Sequence, residues 1–243
     1  MEGEHPADGE PSRSPSDVES RVGPLGDLKA IAALLTVVLL ATSAGAAARG
    51  DVEPRGRLTV RIYAADVPAD EIAAAGEAAN GIFRSAGIAL TWVHCARADA
   101  ALPSPSAQCT TAVGPEDIVV RLTRSPHPDA ASQSVRLGEA LVDVQTNTSA
   151  FATVFADRVV HLATRTGANR RFVLGWVMAH EIGHLLLGSN AHAGRGLMRP
   201  VWTDLELRRL ISPGRRFSAS EARRMKQAIA ARAHRRDLLA AAP

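Results

Sequence analysis

Residues 171–187 read RFVLGWVMAHEIGHLLL, and how this run folds governs the interpretation of everything around it. It is apolar nearly all round, which on a helical period marks a helix buried on every side. Asn169 stands where a capping side chain is wanted, and Gly188 where a left-handed terminating residue is wanted. Three ionisable side chains interrupt the apolar run: His180, Glu181 and His184. Burying them without partners is costly, so they call for a purpose. Positions i and i+4 share a helix face, so both imidazoles can reach one metal ion with Glu181 beside it.

Two nitrogen ligands suit Zn²⁺, whose catalytic sites take three protein ligands and keep one position for water. Glu181 is then the candidate general base, accepting the proton of the attacking water and passing it to a leaving amine. The bland alternative is a helix whose histidines are merely hydrogen-bonded in the core. For the third ligand His192 is the leading candidate, because a chain that turns back at Gly188 can bring it under the metal. Glu206 and Asp204, downstream in Thr203-Asp204-Leu205-Glu206, are the alternatives. His127 and His161 are isolated and read as structural or surface residues. Tyr63, the single tyrosine, is too far from the motif in sequence to be expected at the site.

The run from His180 to Pro200, HEIGHLLLGSNAHAGRGLMRP, resembles the metzincin clan of zinc metallopeptidases, especially its matrixin-like branch. That pattern has two helix histidines, a helix-ending glycine, a third histidine, and a tight turn placing a methionine beneath the metal. In strict register the glycine and third histidine would fall at 187 and 190, where this chain has Leu187 and Asn190. Here they are displaced to Gly188 and His192, a divergent form. The resemblance implies zinc held by His180, His184 and His192, Glu181 as base, and Met198 as the residue of the turn. By the same analogy an edge strand lines the substrate cleft, with Arg136–Val144 the candidate.

Working outward, Arg57–Ala64 alternates polar and apolar as a strand does, Ala69–Ala86 carries apolar residues on a helical period, and Ile88–Val93 is a second strand. This order predicts a right-handed crossover joining two parallel strands. Asp117–Leu122, Arg136–Val144 and Arg158–Ala163 read as three further strands. Ser218-x-x-Glu221 opens an Arg-rich helix with a capping-box pattern. The expected plan is α/β (α+β): a mixed twisted sheet, a crossover helix, a buried helix bearing the site, and a C-terminal helix.

The 243 residues divide into an extension at 1–29, an apolar leader at 30–48 and a zinc-binding domain at 55–243. The leader has Lys29 before it and Ala44-Gly45-Ala46 after its apolar part, which predicts export with cleavage near Ala46 or Ala48. An uncleaved single membrane anchor is the alternative. Export permits a disulfide between Cys95 and Cys109, which would clip the intervening loop. From Ala47 onward the chain holds 25 bases and 18 acids, and the excess gathers after the metal motif. The chain is thus expected to be a secreted or extracytoplasmic zinc endopeptidase, a monomer acting on peptide or protein and not on nucleic acid. Two other readings are a non-catalytic, zinc-stabilised extracellular binding module and a three-histidine zinc endoribonuclease. The latter family has Gly where this chain has Glu181, and export would separate the protein from cytosolic RNA.

Overall fold

The computed structural model describes residues 57–64, 66–95, 107–126, 136–146, 148–209 and 216–242. The extension at 1–29, the leader at 30–48, His127 and most of the segment between the cysteines lie outside the described residues. Among the described residues no helix is long and apolar enough to cross a membrane.

Five strands form one sheet: β1 (Arg57–Ala64), β2 (Ala89–Cys95), β3 (Asp117–Thr123), β4 (Gly138–Ala140) and β5 (Phe151–Phe155). Their order is β2-β1-β3-β5-β4, parallel throughout except for β4, which runs antiparallel to β5 along one edge. β1 lies between two neighbours, and its Leu58, Val60 and Ile62 are at most 2% exposed. Among the described residues six helices accompany the sheet: α1 (Ala69–Ser85), α2 (Ala107–Thr110), α3 (Ala156–Thr166), α4 (Arg170–Leu187), α5 (Asp204–Arg208) and α6 (Ala219–Ala240). The mixed α/β plan with α1 crossing over between β1 and β2 is the one expected.

Two strand assignments need correction. Arg158–Ala163 is not a strand; it lies inside α3, where Val159 and Ala163, spaced i and i+4, turn inward with Thr166. Helical spacing against the core outweighed the β preference of two adjacent valines. The strand that precedes it, β5, has no turn behind it: Phe155 both ends β5 and caps α3, so no loop residue marks the junction. Along Arg136–Val144 only Gly138–Ala140 is strand. Beyond it Asp143 accepts hydrogen bonds from the N–H groups of Gln145 and Thr146, a side-chain turn that diverts the chain.

α4 occupies the centre, with fifteen of its eighteen residues buried. Asn169 caps it by accepting from the Arg171 N–H, and Gly188 ends it at φ 60°. α1 crosses it closely. A Cβ on Gly175 would stand 2.5 Å from the Ala75 carbonyl oxygen, so only glycine permits this approach. Arg170 pairs with buried Glu71 at 2.8 Å, joining the starts of the two helices.

Peripheral elements are tied down by specific polar groups. Cys95 and Cys109 form a disulfide with their Cα atoms 5.5 Å apart. Arg61 donates to the carbonyls of Thr111 and Ala112 and pairs with Asp117 at 2.5 Å, latching the clipped segment onto β1. α6 begins with the capping box of Ser218 and Glu221. Its Arg232, 1% exposed, donates to the carbonyls of Pro115 and Ser149, so one guanidinium holds the loops leading into β3 and β5. Arg224 donates to the Leu187 carbonyl at the end of α4.

Candidate metal centre

α4 delivers His180 and His184 to the same side, one turn apart, with their rings edge to face and centroids 4.7 Å apart. Each Nδ1 meets a backbone carbonyl: His180 that of Leu197 at 2.9 Å, His184 that of Ser189 at 2.7 Å. A carbonyl only accepts, so each Nδ1 carries the proton and each Nε2 of the neutral ring presents a lone pair. The two Nε2 atoms face each other at 3.0 Å.

Burial pushes His180 down to about 4, opposed by its bond to Leu197 and assisted by the fields of His184 and His192. His184 is also lowered, chiefly by burial. Both rings are therefore neutral near pH 7, the form that ligates metals. Two acceptor nitrogens this close, with no proton to share, call for a cation between them. Ligands at roughly 2.0–2.1 Å from tetrahedral zinc are separated by about 3.3 Å. The backbone carbonyls already hold both tautomers, which is how metal-ligating histidines are oriented.

His192 completes the group. The chain reverses at Gly188, and the Ser189 hydroxyl accepts from the Ala191 N–H at 3.1 Å, curling the loop beneath α4. The His192 ring lies 5.3 Å from that of His180 and 5.0 Å from that of His184. One ligand nitrogen from each of the three lies within 4.8 Å of the others, a group able to hold a metal ion. Its donors fit zinc. The displacement of Gly188 and His192 from strict register is absorbed by one more helical residue, Leu187, and a longer loop. Among the described residues no fourth His, Cys, Asp or Glu joins the cluster, and His192 is exposed, so the site is open on one side.

The alternative ligands are engaged elsewhere. Glu206 pairs with Arg199 at 2.5 Å and accepts from Thr203, bonds that hold it down to about 2. Asp204 is exposed in the first turn of α5. His161 is exposed on α3, and the Tyr63 hydroxyl donates to the Cys109 carbonyl at 3.2 Å.

Met198, 1% exposed, packs its sulfur against Gly183 between the two helix histidines; a Cβ on Gly183 would lie 2.7 Å from Sδ. The Ala193 N–H donates to the Met198 carbonyl at 2.8 Å, closing the loop that also presents Leu197 to His180. Trp202 sets its ring edge-to-face with His180, centroids 5.7 Å apart, a wall that motif spacing alone does not reveal.

Glu181 is 6% exposed, and burial pushes its carboxyl up to about 8, with Arg136 pulling it down and Glu139 pushing it up. It lies against β4, where Gly138 leaves room for it. Leu137 accepts from the Phe155 N–H at 2.8 Å and the Leu141 N–H donates to Phe151 at 3.0 Å. Antiparallel pairing alternates, so the peptide groups of Gly138 and Ala140 face away from β5, on the side of β4 where no other strand pairs among the described residues. Sequence reasoning placed a strand here but did not single out Gly138.

No protein-family model matches this chain, and no curated protein matches it. Among solved structures it is similar to the archaemetzincin of Methanopyrus kandleri, with a TM-score of 0.42 and 14% sequence identity over 71% of this chain and 95% of that one.

Proposed function

We propose that this chain is a zinc-dependent endopeptidase of metzincin-like, matrixin-related type, exported from the cytoplasm. The observation that carries the reading is the open three-imidazole cluster, with Glu181 next to His180 on the same helix and its carboxyl against the edge strand. His180, His184 and His192 would hold the zinc, which when bound would supply Lewis acidity toward a carbonyl and lower the pKa of water. Beside such a cation the Glu181 carboxyl would ionise more readily than its burial alone allows. Glu181 takes the proton of the attacking water and returns it to the leaving amine. An extended peptide adds to the outward-facing groups of Gly138 and Ala140 as a further strand, which suits cleavage within a chain. Ser189 and Leu197 keep the imidazoles oriented throughout, and Met198 supports the helix from below.

The zinc content of wild type and H192A, together with hydrolysis of casein or quenched peptides by wild type and E181Q, tests this. Wild type is expected to hold one zinc and cleave. H192A loses most of the zinc, and E181Q keeps zinc while losing nearly all hydrolysis. An E181Q protein as active as wild type refutes the mechanism. Zinc without any peptide cleavage by wild type returns the chain to the binding-module reading.

A further inference from the structure

Gly138 lies in the edge strand, yet its backbone does not demand glycine: the described glycines at positive φ are Gly87, Gly167, Gly188 and Gly196. Space does demand it. A Cβ at 138 would fall 2.7 Å from Glu181 Oε1, 2.8 Å from Glu181 Cγ and 2.8 Å from the Thr153 carbonyl oxygen. Two residues further along the same strand face, Ala140 carries a methyl group and is half-buried. The face therefore tolerates a side chain, but the Glu181 carboxyl fills the volume that one at 138 would take. A glycine inside a strand marks such a close approach, and it costs the strand stability.

We propose that Gly138 is a positioning residue: its missing side chain seats the Glu181 carboxyl against β4 while its peptide groups face the sheet edge. One residue thereby sets the distance between the base and any strand laid along that edge. The role in catalysis rests on the peptidase reading; the seating does not. A methyl group at 138 displaces the carboxyl by about 1 Å, and a misplacement of that size costs on the order of 10²-fold in rate.

The test is a cycle of four full-length proteins: wild type, G138A, E181D and G138A/E181D. Shortening the acid by one methylene withdraws it from the space the new methyl enters. G138A is expected to keep its zinc and its peptide KM while kcat falls about 10²-fold. It should lower the zinc-free thermal midpoint more in the wild-type background than in the E181D background. The kcat loss of the double variant should be smaller than the product of the single losses. Additive midpoints overturn the proposal, because the collision would then be with Thr153 alone. Coupled midpoints in proteins that cleave no peptide support the seating and reject the peptidase reading. If G138A does not fold, G138A/E181A decides: folding supports the proposal, and failure to fold overturns it.

Discussion

Replacing Glu181 by glutamine should stabilise the zinc-free protein, by an amount that depends on pH in a defined way. The carboxyl titrates at an ordinary 4.5 when unfolded and is pushed up to about 8 by burial in the folded chain. Between these values the native state holds a proton that the unfolded state has lost. Stability therefore falls as pH rises, at up to about 1.4 kcal/mol per pH unit, and levels off above pH 8. The window sets a ceiling of about 5 kcal/mol on the cost, which water entry and local relaxation reduce.

His180 works in the opposite sense. Lowered from 6.5 to about 4, it makes the unfolded state the better proton binder between those values, so stability rises with pH there. E181Q keeps that histidine contribution and removes the carboxyl one, so the difference between the two proteins isolates Glu181. Urea unfolding in chelator at half-unit steps from pH 4 to 9 would measure it. The curves should coincide near pH 4, diverge from about pH 5 in favour of E181Q, and run parallel above about pH 8. A difference that stays flat from pH 5 to 8.5 would refute the claim that burial of this carboxyl opposes folding.

Other outcomes follow from the packing. G183A drives a methyl group into the Met198 sulfur and Phe217, 2.7 and 2.9 Å away; overpacking of this kind costs about 1–3 kcal/mol, and calorimetry should show weakened zinc binding with it. R232M leaves the Pro115 and Ser149 carbonyls without their donor and should cost about 3 kcal/mol in urea unfolding, with zinc content unchanged. C95S/C109S opens a clip of sequence separation 14; the chain-entropy estimate is a loss of about 3 kcal/mol, again without loss of zinc, because Cys95 ends β2, at the opposite edge of the sheet from β4.

The site was more legible than the sheet because its signals are local. His180 and His184 share a helix face whatever surrounds them, and Asn169 and Gly188 mark the ends of that helix by side-chain chemistry and backbone conformation. His192 required only that a short loop curl back. β5 and α3 were harder, because FATVF runs into ADRVVHLATRT without a turn residue, and whether Val159 points along a strand or a helix is decided by partners distant in sequence. Gly138 and Trp202 matter through who their neighbours are. A lone glycine in a short strand carries no local sign that a carboxylate fills the space beside it.

The two hydrogen bonds that orient the helix imidazoles end on Leu197 and Ser189, within the same helix-and-loop segment that carries His180, His184 and His192. The surroundings of Glu181, by contrast, are supplied by a strand from an earlier part of the chain. On the proposed reading, metal capture and proton handling therefore depend on regions that can come apart independently. β4 is a three-residue edge strand and α4 is buried along most of its length, so denaturant should loosen the edge first and the protein should pass through a zinc-loaded stage without hydrolysis. Loss of hydrolysis would then precede loss of metal, and on refolding the ion would arrive before the activity does.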